Sequence, residues 1–374
     1  MSQSKHVQFA ATALALAMSA AASAQTANVE LAGQLGISIT HKNNQTGGGS
    51  LNDVGDNTLA ASWFRISGSE NLGGGMRALF RLESTVALDT GNGGALAAGK
   101  LFNRQAWVGL DTGATGAITV GRQFHAATDR AIRSFDVFNL AGSNLHVTPL
   151  ALFGVNRYGT APANDSRVDN SIKYRVGVPG VVDAAVSYGL GEVAGNGTLG
   201  KSYSGEISST TKMYSVGALA YRVNAPAAIA ATGAVPRHTT WGVGGNVTFG
   251  TIRPYLAWYD NKLDNTTAGR LTQTNKILHV GVSWRGLGAT TLSGGYYHDK
   301  GTSLNGIAGR NGVKDTIVLG ADYAMSKRTS LTAAAFKNSF KDGYMLEAVN
   351  IAGLGRNPTA SSVTGFSLGM RHSF

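Results

Sequence analysis

No cysteine occurs in the 374 residues, so neither a disulfide nor a thiolate-ligated metal can stabilise this chain. Proline is scarce at 7 residues and charged side chains make up only 14%, a composition that excludes an intrinsically disordered polymer. Long apolar runs are missing as well. The longest, over roughly 9–18, is far short of the ~20 residues that a helix needs to cross a bilayer, which excludes a helical membrane protein. Acid is the scarcer sign, and the formal charge is +11. The basic residues are nevertheless scattered singly, without basic clusters, stacking aromatics or zinc-ligand spacing, which argues against nucleic acid as a partner. In an exported β protein the same excess faces anions in a lumen or anionic head groups at a membrane surface.

The catalytic repertoire is equally thin, and no enzyme is expected. No H-E-x-x-H pair, paired-carboxylate motif or nucleophile elbow is read from the chain, and His146 or the neighbours His298 and Asp299 read as polar lumen or loop residues. The glycine runs 47–49 and 73–75 precede no helical pattern, so they read as turns rather than phosphate cradles, and no cofactor is expected.

What the chain does contain is alternation. Phe366, Leu368, Met370, His372 and Phe374 interleave with Ser367, Gly369, Arg371 and Ser373, giving a strand with one apolar face that suits a wall between lipid and water. At the other end, Lys5 and His6, the apolar run and the small-residue site Ala22, Ser23 and Ala24 read as a cleaved secretory signal over 1–24, leaving one mature domain over 25–374. The first mature strand places Val29, Leu31, Gly33, Leu35, Ile37 and Ile39 on one face and Glu30, Gln34, Ser38 and Thr40 on the other. Further strands are expected over 58–70, 75–88, 101–111, 116–123, 167–178, 181–191, 200–209, 213–223, 239–250, 252–261, 275–285, 289–300, 315–325, 329–340 and 363–374, the one at 200–209 having the weakest pattern. Sixteen strands of about 22 residues each, connections included, define an all-β, antiparallel transmembrane barrel with an aqueous channel. Aromatic residues beside expected turns, namely Tyr323, Trp284 and Phe249 at one end and Trp258, Tyr259, Tyr296 and Tyr297 at the other, read as interfacial girdles. The longest unpatterned stretch is 124–165, and such stretches in compact domains commonly carry function.

Several segments carry a resemblance. These are Ser67-Gly68-Ser69-Glu70-Asn71-Leu72-Gly73-Gly74-Gly75, then Arg104-Gln105-Ala106-Trp107-Val108-Gly109-Leu110 leading to Val120-Gly121-Arg122-Gln123, then Asp169-Asn170-Ser171-Ile172-Lys173-Tyr174, then Gly320-Ala321-Asp322-Tyr323-Ala324-Met325-Ser326-Lys327-Arg328-Thr329, and the terminal Phe374. Together they resemble general porins of β-proteobacterial outer membranes. The resemblance implies a homotrimer in the Gram-negative outer membrane, in contact with its lipid and lipopolysaccharide. It further implies a third extracellular loop folded into the barrel at about 124–165, passive diffusion of ions and small hydrophilic solutes, and a terminal Phe374 read by the barrel-insertion machinery. The rival function is an adhesin or scaffold barrel with a narrow or plugged lumen.

Strand parity orients the charges. With Phe64 and Ile66 toward lipid, Trp63, Arg65 and Ser67 face the lumen; with Met76, Ala78, Phe80 and Leu82 outside, Arg77, Arg81 and Glu83 face in. An arginine left in lipid would cost roughly 2–4 kcal/mol at the midplane, which supports this choice. By resemblance, Arg104 and Arg167 occupy two positions of the arginine wall, and Arg65 compensates for Trp63 at the third. Arg122 shares parity with Ile118 and Val120, so an inward orientation requires a local irregularity. From the loop, Asp136 and Arg133 are the candidate constriction residues, and a basic wall facing a weakly acidic loop implies modest anion preference.

Overall fold

The computed structural model describes residues 27–93, 99–139, 166–264, 267–347, 351 and 353–374. The signal segment 1–24, the mature start at Gln25 and most of the long loop, including His146, Arg157 and Asp165, lie outside the described residues.

The strands run in chain order as β1 Ala27–Gln45, β2 Gly49–Asp56, β3 Trp63–Gly73, β4 Met76–Thr85, β5 Gln105–Asp111, β6 Ala117–Phe124, β7 Arg167–Val178, β8 Val182–Gly189 and β9 Ser202–Thr210. They continue as β10 Tyr214–Asn224, β11 Arg237–Val247, β12 Ile252–Leu263, β13 Gln273–Leu287, β14 Thr290–Thr302, β15 Gly312–Ala324, β16 Thr329–Asp342 and β17 Ser362–Ser373. Every pairing is antiparallel, and β1 closes the sheet on β17 through nine partners from Gln34↔Ser373 to Lys42↔Gly365. Closure is what the sequence pattern demands, because an apolar outer face in lipid leaves no water to satisfy an open edge.

Seventeen strands make sixteen staves. On its second edge β1 pairs β2 along its upper half, from Ile37↔Asp56 to Gln45↔Gly49, and β3 along its lower half, from Gln34↔Trp63 to Ala27↔Glu70. β2 and β3 are therefore one barrel strand broken at residues 57–62, giving a closed 16-stranded barrel. This corrects the expected strand over 58–70: its first residues leave the sheet, and 49–56 supply the upper part. The weak expectation at 200–209 is realised as β9, paired with both β8 and β10.

The break at 57–62 turns inward. Asn57, fully buried, donates its backbone N–H to Gly36 O at 3.1 Å and its side-chain amide to Thr332 Oγ1 at 2.7 Å on β16. Ser62 bridges both backbone groups of Gly36, at 2.9 and 3.0 Å. Gly36 is glycine because a Cβ there would stand 2.7 Å from the Asn57 Cβ. Leu59, further along the excursion, reaches the inner face of β15, where a Cβ on Gly320 would lie 3.1 Å from both Leu59 and Phe138.

A second inward element follows β6. Helix α1, Ala126–Arg130, runs directly into a π-helical turn over Ala131–Phe135. Ala127, Ala131 and Phe135, spaced by four, form a buried stripe against Leu219, Tyr221 and Val223 of β10, Ala257 and Tyr259 of β12, and Ile277 of β13. Val137 and Phe138 continue across β13 and β14. A Cβ on Gly281 would meet Val137 at 2.8 Å, and one on Gly295 would meet Phe138 at 3.0 Å. Gly281 and Gly295 are direct cross-strand partners, so a glycine-lined socket in the wall receives these two side chains.

The outer face holds the exposed large apolar residues, including Val280, Val282, Ile317, Leu319, Phe366 and Leu368. Trp284, Tyr323 and Phe249 sit exposed beside the short turns, and Trp258 packs edge-on to Trp241 with centroids 4.7 Å apart nearer the long connections. Tyr259 and Tyr297 depart from the expected girdle. At 0% and 1% exposure they point inward, one against Phe135 and the other bonded to Asp136, because each stands one residue from an outward neighbour and strand parity reverses it.

Candidate functional site

The lumen wall of β3–β5 carries the basic residues that parity assigned to it. Arg65 lies over the Trp63 ring at 5.5 Å and pairs with Glu30 of β1 at 3.3 Å. Arg81 places Nε 2.9 Å and Nη2 2.5 Å from Glu83 Oε2, while Arg104, just before β5, places Nε 2.6 Å from Glu83 Oε1. Gln105 donates to the same carboxylate at 3.3 Å and accepts from the Trp107 indole at 3.1 Å. Glu83 is 2% exposed, so one buried carboxylate holds two guanidinium groups that keep an accessible edge toward the lumen. Nearer the short turns, Arg77 pairs with Asp111 at 2.5 Å. Among the described residues of this wall, Arg65, Arg77, Arg81 and Arg104 form ion pairs with Glu30, Glu83 and Asp111, and Asp56 lies within electrostatic reach of Arg104.

Arg122 and Arg167 are held elsewhere. The pairing of β6 with β7 slips between Gly121↔Ser171 and Gln123↔Val168, with Asn170 at φ 51°, and this is the kind of irregularity that Arg122 required. Arg122 donates from Nε to Asn103 O at 2.8 Å and pairs with Asp169 at 2.7 Å, a carboxylate it shares with Lys100. Arg167 is 8% exposed and lies over the Phe124 ring at 4.2 Å. The structure thus groups Arg65, Arg81 and Arg104, and sets Arg122 and Arg167 on the β6–β7 side.

The inward segment is bound along the opposite wall. His125 caps α1 by accepting from Thr128 N at 3.2 Å and stacks on Tyr221 with centroids 4.1 Å apart. Ala126 N and Ala127 N donate to Ser187 of β8 and Ser204 of β9 at 3.1 and 2.8 Å. Arg130 pairs with Glu206 at 2.9 Å, Lys173 with Asp129 at 2.7 Å, and Arg175 with Asp183 at 2.5 Å and Glu206 at 3.2 Å. Further on, Asn246 donates to Ser134 O at 3.0 Å and His279 accepts from Val137 N at 3.3 Å. Burial, reinforced by Lys173 and His238, pushes the His125 imidazole well below its usual range, so it stays neutral.

Of the two loop residues singled out from sequence, Asp136 is 2% exposed and accepts from Tyr297 Oη at 2.9 Å and Phe138 N at 2.7 Å. Its geometry is that of an anchor. Arg133 is exposed and borders a cleft with Arg130, Asp183, Lys212, Asn246 and Arg253. Sequence reasoning placed Glu83 in the lumen but missed its role in seating Arg81 and Arg104; the parity shared by Arg81 and Glu83 was the available signal. The four-residue spacing of Ala127, Ala131 and Phe135 could have revealed the short helix. The glycine socket had no local signal, since Gly281, Gly295 and Gly320 lie on three different strands.

One correction concerns the nucleophile elbow. Gly365-Phe366-Ser367-Leu368-Gly369 does spell G-x-S-x-G, but Ser367 lies inside β17, paired with Thr40 and Ala334, where no strand-to-helix turn presents its hydroxyl. Among the described residues no group of three metal-ligating side chains converges.

The barrel matches known structures over most of its length. An anion-selective porin from Comamonas acidovorans superposes with a TM-score of 0.75 at 20% identity, covering 93% of this chain and 100% of that one. OmpT, an outer membrane protein of Vibrio cholerae, matches with a TM-score of 0.67 at 14% identity over 93% of this chain and 98% of its own. Salmonella typhi OmpF in complex with daunomycin matches at 0.63 and 15% identity over 92% and 97%. At these identities the likeness establishes the fold. No curated protein sequence matches the chain. The family model for Gram-negative porins, however, matches residues 10–343. A closed barrel with an apolar outer belt, a charged inner wall and that family match together make this chain a member of the Gram-negative porin family, an outer-membrane diffusion channel.

Proposed function

We propose that the channel passes small hydrophilic solutes and ions with a modest preference for anions, set by Arg65, Arg81 and Arg104 on the wall facing the inward segment. The observation that carries this reading is the sharing of Glu83: one buried carboxylate fixes two guanidinium groups in place yet neutralises only one charge, leaving a stationary positive potential in a low-dielectric channel. The anion selectivity named for the Comamonas acidovorans porin is consistent with this reading. Arg122 and Arg167 contribute at longer range, and Arg133 adds charge on the loop side. Asp136 fastens the segment rather than meeting solute. The inward segment over residues 125–138 narrows the lumen.

The protein works without enzymatic activity or cofactor, is exported by a signal over 1–24 that is removed before Gln25, and assembles as a homotrimer, as the trimer form of the matched OmpT illustrates. Phe374 exchanges both backbone hydrogen bonds with Gly33 at 3.0 Å, and its ring covers that glycine. It seals the barrel seam and provides the terminal aromatic read by the insertion machinery.

Reversal potentials of the refolded mature chain in a planar bilayer under a KCl gradient test the proposal. An anion-directed potential with stepwise openings in threes is expected. A cation-directed potential would overturn the role of the arginine wall, and a folded barrel without conductance would favour a plugged scaffold.

A further inference from the structure

Below the Glu83 cluster, toward the short turns, the lumen wall holds a cavity of about 310 Å³ lined by the inward side chains of Arg65, Ser67, Ser69, Leu79, Arg81 and Trp107. That volume stands at the small end of the ordinary range for solute pockets, about 300–1,000 Å³, and suits a single ring. Two cross-strand rows build it, Glu30↔Ser67↔Arg81↔Trp107 and Asn28↔Ser69↔Leu79↔Gly109. Ser67 and Ser69 are too small to fill the space between the arginines, Leu79 and the indole.

Attraction of anions by charge leaves Trp107 unexplained. Parity puts it on the water side, where apolar surface is unfavourable and where no interfacial girdle needs it. Its indole N–H donates to Gln105 Oε1 at 3.1 Å, which restrains the ring, and among the described residues neither face meets another aromatic ring or a cation. Its neighbours on the same face, Gly109 along β5 and Gly121 across on β6, have no side chains to cover it. The arginines beside it retain donors. Arg81 commits Nε and Nη2 to Glu83 and leaves Nη1 without a partner among the described residues. Arg65 makes one hydrogen bond among them, from Nη2 to Glu30 at 3.3 Å. Glu30, 59% exposed at the cavity rim, is the carboxylate that an entering anion replaces.

We propose that this cavity is a subsite for aromatic carboxylates, a solute class that rests on the anion-passing reading given above. The carboxylate takes the unpaired edges of Arg65 and Arg81, which offer it directional, charge-assisted donors, while the ring lies against Trp107 and Leu79. Charge draws any anion to this wall. The indole retains the flat ones.

The test uses the full mature chain, refolded and carrying KCl current in a planar bilayer, with benzoate and cyclohexanecarboxylate as probes of equal charge and similar size. Benzoate interrupts the current with an affinity about tenfold higher than that of cyclohexanecarboxylate, the increment expected of one aromatic contact. Trp107→Leu brings the two affinities together, and Trp107→Phe retains the preference. Because a disturbed fold or a displaced arginine would weaken both probes alike, the ratio of affinities isolates the ring. Equal affinities in the wild-type channel, or a preference that survives Trp107→Leu, would overturn the subsite. The reversal potential is read in the same records. If it is anion-directed and benzoate is not preferred, the subsite fails and the anion channel stands; if it is cation-directed, the anion reading fails and the subsite with it.

Discussion

The two sides of the lumen solve the same problem differently. Along β8–β15 the wall is covered: its serines, histidines, Asn246 and Tyr297 spend their polar groups on the inward segment, and Gly281, Gly295 and Gly320 lack the Cβ that would keep that segment away. Along β3–β5 the wall is bare, and arginines held by Glu30, Glu83 and Asp111 face the water. The covered side spends its side chains on geometry, because an inserted segment needs backbone partners and space. The bare side spends them on potential. Near the covered side Asp129, Asp183 and Glu206 pair with Arg130, Lys173 and Arg175, and Arg133, Lys212 and Arg253 border the same cleft.

This division breaks most visibly under charge reversal. Arg81→Glu with Arg104→Glu replaces two positive charges by two negative ones around Glu83, and the ratio of anion to cation permeability should fall by about tenfold, with the reversal potential changing sign. Arg167→Glu, at a residue stacked on Phe124 away from that cluster, should move the potential much less. Equal shifts from the two substitutions would erase the distinction between the walls.

Filling the socket attacks the other side. Gly295→Val should dislodge Val137 and Phe138, costing about 1–3 kcal/mol in the docking of the inward segment. The readout is a change in single-channel conductance together with faster proteolysis after Arg133, while selectivity keeps its sign. Unchanged conductance would mean that the segment does not set the pore. A smaller effect comes from Leu59→Ala, which removes the contact of the broken stave with Gly320 and Phe138. Conductance noise should rise, with a loss of about 1–2 kcal/mol for a partly buried leucine, measured as a lower midpoint of unfolding in urea.

The smallest effect is that of pH. His125 is held neutral in the folded barrel and would titrate near 6.5 when released, so folding there expels a proton. The stability of the α1 cap is complete above that value and declines as pH falls below it toward the depressed folded pKa. Gating should therefore increase below about pH 6.5, and His125→Asn should flatten this dependence in single-channel records across pH 5–8. A wild-type profile flat over that range would remove His125 from the docking mechanism.

Much of the barrel was legible because a strand between lipid and water must alternate, and Phe366 to Phe374 does so residue by residue. The same parity placed Arg65, Arg81 and Glu83 inside, and Tyr259 and Tyr297 were assigned to the girdle wrongly because proximity to a turn was weighed above parity. The break at 57–62 was illegible: Asn57 and Ser62 are held by Gly36 and Thr332, partners brought near only when the sheet closes. The helix at 126–130 is a single turn whose mark in the sequence is the four-residue spacing of Ala127, Ala131 and Phe135, and its stability comes from packing on β10, β12 and β13.

By itself, then, the sequence determined a two-faced strand repeated around a closed wall, because alternation is a local property that lipid and water read one residue at a time. Only the tertiary structure decided which arginines share Glu83, where the second stave breaks, and how Gly281 and Gly295 meet to admit Val137 and Phe138. Each of these depends on the register between strands distant in sequence, and that register is fixed when the barrel closes.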